Sequence, residues 1–147
     1  MSEWEEGFKV GEDIGYLSAA IDGEGHIGIA KSKSKGKYIS YGLTVRITNT
    51  DLLFLIRLRD ICLGEGSIKP RVKDKTSKKV AYDYRIPTEF FRELLPRLSL
   101  TVKLQHASIA RRYFGLVNSG YPRQKHTELE MGELERLYQE MKELNRR

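Results

Sequence analysis

The stretch Ile14-Gly-Tyr-Leu-Ser-Ala-Ala-Ile-Asp-Gly-Glu-Gly25 decides how the rest of the chain is read. It begins as a helix, and its small residues Gly15, Ala19 and Gly23 recur every fourth position. Residues four apart stack on one helix face, so these three form a ridge almost bare of side chains. Such a ridge lets a second helix approach backbone to backbone. The stretch ends in Asp22-Gly-Glu-Gly25, two carboxylates at the helix mouth, and an apolar alternation follows at once. An ordinary core helix with a glycine stop accounts for the small residues but not for the acids. Two copies packed along the ridge would bring the acids of both to one end, a natural site for a cation.

Upstream, residues 1–12 read as an N-terminal extension, with Trp4 and Phe8 available to dock on the body, and Asp13 is placed to cap the helix. Downstream, His26 to Lys33 alternates, with Ile27 and Ile29 on one face and Gly28, Ala30 and Ser32 on the other. A turn at Ser34-Lys-Gly-Lys37 leads into a clearer alternation. There Ile39, Tyr41, Leu43, Val45 and Ile47 face inward, while Ser40, Gly42, Thr44, Arg46 and Thr48 face outward. Asn49-Thr-Asp51 starts a second helix from Leu52 to Leu63, stopped by Gly64. A second hairpin opposes Ser67, Lys69, Arg71 and Lys73 to Ile68, Pro70 and Val72. Its return strand, Val80 to Ile86, turns the tyrosines inward. Pro70 cannot donate to a ladder and so marks an edge strand or a bulge. Thr88 caps a short helix ended by Pro96, a longer helix spans Leu100 to Val117, and Thr127-Glu-Leu-Glu130 is a capping box for a last helix to about Leu144. Its Leu134, Leu137, Met141 and Leu144 keep heptad-like spacing over only two heptads, which favours packing on the domain over a coiled coil. The expectation is an α+β fold in one domain over 13–147, with a core over about 13–117 and a C-terminal helix over about 127–145.

The chain of 147 residues suits one domain with a real core. Its apolar share is 39%, with no run long enough to cross a membrane, and its acidic start lacks the regions of a signal peptide. The single Cys62 allows no internal disulfide and points to an intracellular, reducing compartment, such as a prokaryotic cytoplasm or an organelle. Nothing in the chain resembles a Cys/His zinc site, and the three histidines, His26, His106 and His126, are widely scattered. The net charge of +6 gathers in Lys31 to Lys37 and Lys69 to Lys79, on the two hairpins, and points to a polyanion partner. A sheet with one apolar and one basic face can saddle duplex DNA, because the major groove admits a β-ribbon. On that face Arg46, Lys69 and Arg71 suit guanine edges, Asp83 suits cytosine, and Ser32, Ser40 and Thr44 suit several bases. Ser34, Ser67 and Arg85 extend the polar rows. Lys31, Lys33, Lys35, Lys37, Lys73, Lys75, Lys78 and Lys79 suit phosphates, which give affinity rather than sequence information.

The nine residues Leu17-Ser-Ala-Ala-Ile-Asp-Gly-Glu-Gly25 resemble the signature of the LAGLIDADG homing endonucleases, with Ser18 and Ala19 where the family name has Ala and Gly. The element order is also similar to that family's α-β-β-α-β-β-α core with its four-stranded antiparallel saddle, to which this chain adds C-terminal helices. The motif occurs once, and the resemblance then implies the homodimeric branch. It implies a Mg²⁺-dependent, intron-encoded endonuclease that breaks both strands of a long, near-palindromic DNA site. Glu24 stands where an aspartate is commoner and would hold the divalent cation (Mg²⁺, Mn²⁺ or a non-catalytic Ca²⁺) with the Gly23 carbonyl. By position Asn49 and Lys103 would surround the attacking water, with Arg85 and His106 behind them. Gly15, Ser18, Ala19, Asp22 and Gly23 would form the dimer contact. An RNA-splicing maturase, or a DNA-binding regulator that does not cut, is the alternative on the same fold.

Overall fold

The computed structural model describes residues 11–34, 36, 38–71, 79–117 and 126–146. Trp4, Phe8, Lys35, Lys37, Val72, Lys73, Lys75 and Lys78 lie outside the described residues. The order is α1 (Glu12–Glu24), β1 (Gly25–Lys33), β2 (Ile39–Asn49), α2 (Leu52–Ile61), β3 (Ser67–Pro70), β4 (Tyr82–Ile86), α3 (Thr88–Leu94), a 3₁₀ turn (Leu95–Arg97), α4 (Leu104–Leu116) and α5 (Glu128–Asn145). The four strands form one antiparallel sheet in the order β1-β2-β4-β3. This is the α+β arrangement expected from the alternation, and Pro70 does end an edge strand.

The core lies between the sheet and the helices. Ile27, Leu43, Val45, Ile47, Tyr84 and Ile86 supply the sheet's apolar face, and Leu17, Ile21, Leu55, Leu58, Phe91, Ala110 and Leu137 pack on it. Leu17 and Ile21 are fully buried. Each such side chain contributes about 1.5–3 kcal/mol of transfer free energy. That burial fixes the roll of α1 about its axis: Leu17, Ser18, Ala20 and Ile21 face in, while Gly15, Tyr16, Ala19 and Gly23 face solvent. Burial also raises the Cys62 thiol to about 11, which makes it an inert core group.

Several caps differ from expectation. Gly11 precedes α1 without a side-chain cap, and Asp13 sits in the first turn, 3.7 Å from Arg57. Thr88 lies inside α3, where its hydroxyl donates to the Leu43 carbonyl at 2.8 Å and ties that helix to β2. The long helix starts at Leu104 rather than Leu100, because 99–103 is held as a turn by side chains of α1. Asp51 does cap α2 through the amides of Leu53 and Phe54, and the Thr127/Glu130 box opens α5. That helix buries Leu134, Leu137 and Met141 against α4 and β1.

Candidate acidic centre and nucleic-acid face

Helix α1 runs into β1 without a connecting residue: Glu24 ends one and Gly25 starts the other. The junction demands glycine. A Cβ at position 25 would lie 2.5 Å from the Ile21 carbonyl oxygen and 2.9 Å from its Cα. Glu24 is left exposed at the helix mouth, and Asn49, the last residue of β2, reaches it. The Asn49 Nδ2 donates to Glu24 Oε2 at 2.5 Å, and its Oδ1 accepts from the Asp51 amide at 2.8 Å. Both bonds require the same orientation of the amide. A turn that starts α2 therefore also aims the carboxylate, and the sequence-predicted pair Glu24 and Asn49 comes together.

Two other α1 side chains do different work from that expected of them. Ser18 is 3% exposed, and its hydroxyl accepts from the Ser99 amide at 3.0 Å. Asp22 accepts from the amides of Thr101 at 2.8 Å and Lys103 at 3.0 Å. Both lie on the row of α1 that faces its own chain, one step round from the open ridge of Gly15, Ala19 and Gly23. Asp22 thereby fixes the backbone of Lys103, which is half-buried at the start of α4. The same neighbourhood holds His26 and His106. Both are kept below the usual histidine value, first by burial; for His26 the charges of Arg46, Lys103 and His106 then add, and for His106 that of Lys103.

Strand pairing lays out the polar face of the sheet row by row. Ser32 faces Ser40, their hydroxyls 2.7 Å apart; Ala30 faces Gly42; Gly28 faces Thr44. Then comes a row across all four strands, His26–Arg46–Arg85–Ser67, followed by Thr48–Asp83–Lys69. Asp83 is already engaged: Thr48 donates to it, and the Arg71 guanidinium stands 3.4 Å away. Ser34 is exposed in the first hairpin turn. Lys31 is elsewhere. It shares the parity of Ile27 and Ile29, and its ammonium bonds Glu135 of α5 at 2.5 Å, close to the rings of Tyr41 and Tyr138. Lys33 has the same parity at the exposed end of the strand. Hydrogen bonds from Lys31, Gln139 and Tyr41 hold the Glu135 carboxyl down to about 2.

His26 is the residue that sequence reasoning undervalued. Its ring folds over Gly28, where an added Cβ would lie 2.7 Å from the ring Nε2. The signal was its parity, which it shares with Gly28 and Ala30. Beside it a cleft of about 540 Å³ opens between this face and the end of α5, lined by His26, Gly28, Thr44, Arg46 and Arg85 and by Tyr138, Met141, Lys142, Asn145 and Arg146.

The donors at the helix mouth suit a hard divalent cation, since they are a carboxylate and nearby carbonyls. Among the described residues no three His, Cys, Asp or Glu side chains come together.

No protein-family model and no curated protein matches the sequence. Solved structures do match its fold. The crystal structure of the homing endonuclease I-TnaI superposes with a TM-score of 0.68 at 20% identity, over 86% of this chain and 85% of that one. The I-SmaMI LAGLIDADG homing endonuclease bound to cleaved DNA gives 0.66 at 22% identity, over 83% of this chain but only 41% of that one. I-SmaMI has also been seen on uncleaved DNA in the presence of calcium ions. The archaeal intron-encoded homing endonuclease I-Vdi141I, complexed with DNA, gives 0.63 at 18% identity, over 87% and 80%. With its single signature at the helix–strand junction and its four-stranded saddle, this chain has the fold of the LAGLIDADG homing endonucleases.

Proposed function

We propose that the protein is a homodimeric, divalent-cation-dependent endonuclease that cuts both strands of a specific duplex. The observation that carries this is the Asn49–Glu24 bond: a carboxylate aimed by its own chain, at the end of a ridge that its own chain leaves open. Among the described residues, an added Cβ at Gly15 or Gly23 would meet no atom within 4 Å. A second copy packed on that ridge would bring its Glu24 alongside and place a second saddle end to end with the first. Protein symmetry of this kind is matched by a near-palindromic site. The DNA-bound neighbours support a duplex as partner.

Hydrolysis requires attack by water on phosphorus in line with the leaving 3′ or 5′ oxygen, with negative charge building on the phosphate. A hard divalent cation, when bound, would neutralise that charge and ease deprotonation of the water. The chain's own part is positional. Glu24 and the Gly23 carbonyl would hold the cation, and Asn49 keeps the carboxylate in place. Asp22 locks the turn that presents Lys103, whose charge stands beside His26 and His106. Arg46, Arg85, Ser67, Lys69 and Thr44 form the face for reading bases, while Lys31 is committed to Glu135 and leaves the set of lysines expected at phosphates. Intron origin is part of the same proposal.

The test is a selection of cleaved duplexes from a random library with Mg²⁺, comparing the unmodified protein with Glu24→Gln. Recovery of one near-palindromic site, lost in Glu24→Gln although the duplex is still bound, is the expected result. No cleavage of any sequence, together with specific RNA binding, would sink the nuclease reading in favour of a splicing role.

A further inference from the structure

We propose that the last turn of α5 is a second DNA-contacting element, in which Lys142 and Arg146 take backbone phosphates at the rim of the saddle beside the start of β1. The inference rests on the nuclease reading for the identity of the polyanion. What it adds is a helix outside the α-β-β-α-β-β-α core.

Among the described strands β1 is at the edge of the sheet, so one side of its backbone has no partner strand there. The Asn145 Nδ2 fills part of that edge by donating to the Ile27 carbonyl at 2.9 Å. Its Oδ1 can then only accept, which makes the His106 Nε2, 2.8 Å away, the donor. One amide thus pins the tip of α5 to the sheet edge on one side and to α4 on the other. Met141, 1% exposed, anchors the preceding turn in the core. The tip is consequently a fixed part of the binding face and not a loose tail.

On this pinned tip Lys142 and Arg146 line the same cleft as His26, Arg46 and Arg85. Among the described residues that line the cleft none is acidic. Glu143, 3.4 Å from Arg146, is the acid that partly offsets the charge, and both groups of that pair are more than 60% exposed. Cations gathered from three elements (β2, β4 and the end of α5) repel one another, and a polyanion in the cleft relieves that repulsion. Lys142 and Arg146 stand outside the cross-strand row, at its rim, where phosphates rather than base edges would pass. A plainer role is also available, since cations in a last helical turn favour the helix dipole. The two roles differ in what they do to salt dependence.

The test uses the full chain and a labelled mixed-sequence duplex, with binding measured across salt concentration. Lys142→Ala/Arg146→Ala is expected to lower the slope of log K against log salt by about 0.9 for each side chain removed. Selection from the random library should return the same base preferences, and Lys142→Arg/Arg146→Lys should restore the slope. An unchanged slope with a lowered melting temperature overturns the proposal, because the pair then serves only the helix end. Altered base preference at an unchanged slope also overturns it. If the unmodified protein binds no duplex, the nuclease reading falls, and this inference falls with it.

Discussion

Position 25 and position 28 are both glycine, and the structure gives them different reasons. At Gly25 the intruding atoms are backbone, Ile21 O at 2.5 Å and Cα at 2.9 Å. Gly25→Ala should therefore lower stability by about 1–3 kcal/mol in chemical denaturation, as over-packing does. At Gly28 the obstacle is the end of the His26 ring, which can rotate away. Gly28→Ala should leave stability within about 0.5 kcal/mol, the usual range for changes that strain no backbone, while displacing the His26 ring, a change readable in its NMR chemical shift. Asn49→Ala removes the partner of Glu24 and the acceptor for the Asp51 amide. We expect cleavage to fall on the order of a hundredfold, the effect of a misplacement of roughly 1 Å, with duplex binding retained. Much of this was legible. Glu24 and Asn49 were identifiable from the signature and from the position after β2. His26 was not, because its value depends on a ring lying over a glycine two residues on and on Arg46 across the ladder. Lys31 shows the opposite error. Its strand parity already placed it with Ile27 and Ile29, but the local run of lysines argued for DNA. The structure follows parity, and the partner that holds Lys31, Glu135, is supplied from 104 residues away.

Helix α1 carries two parallel rows, Ser18 and Asp22 bonded to 99–103 and Gly15, Ala19 and Gly23 exposed among the described residues. Sequence reading merged them, because both satisfy four-residue spacing and only the packing of 99–103 separates them. Substitution should tell them apart. Ala19→Leu adds bulk to the open ridge and is expected to give a folded monomer in analytical ultracentrifugation. Ser18→Leu would bury the bulk against Ser99 and strand that residue's amide; a loss of about 1–3 kcal/mol is expected, with aggregation or a lowered melting temperature. A folded Ala19→Leu variant that remains a dimer at micromolar concentration would refute the ridge as the contact. Asp22→Ala should free the amides of Thr101 and Lys103, destabilise by about 0.5–2 kcal/mol as other lost caps do, and slow cleavage by loosening Lys103. The α4 start at Leu104 rather than Leu100 has the same origin. A helical pattern continues through 100–103 in the sequence, but a carboxylate from α1 competes for those amides and wins.

For the whole molecule, pH dependence follows in part from His106, which is 7% exposed, bonds Asn145 at 2.8 Å and feels the charge of Lys103. Its folded value lies below the ordinary 6.5. Below that pH the unfolded chain binds a proton that the folded chain resists, so stability falls as pH drops from about 6.5 toward the depressed folded value. Thermal melting without divalent cations should show this slope, and His106→Gln should reduce it, leaving the part contributed by His26, which is also held below its ordinary value. The fold itself was readable from period alone, since two alternating hairpins between helices leave few alternatives. The docking of α5 was not, because a heptad-like stripe does not say which surface it will cover. The direct junction of α1 with β1 sets a rule for how such a molecule can change. A strand has a period of two, so one residue inserted between Glu24 and Gly25 would turn β1 over. Ile27 would move to the solvent side and Gly28 to the core. On the proposed function, drift in target preference is therefore confined to substitution along the strands, and changes of length are left to the hairpin ends. The chain has one point at which its reading frame in space is set, and it is the same point that carries the acid.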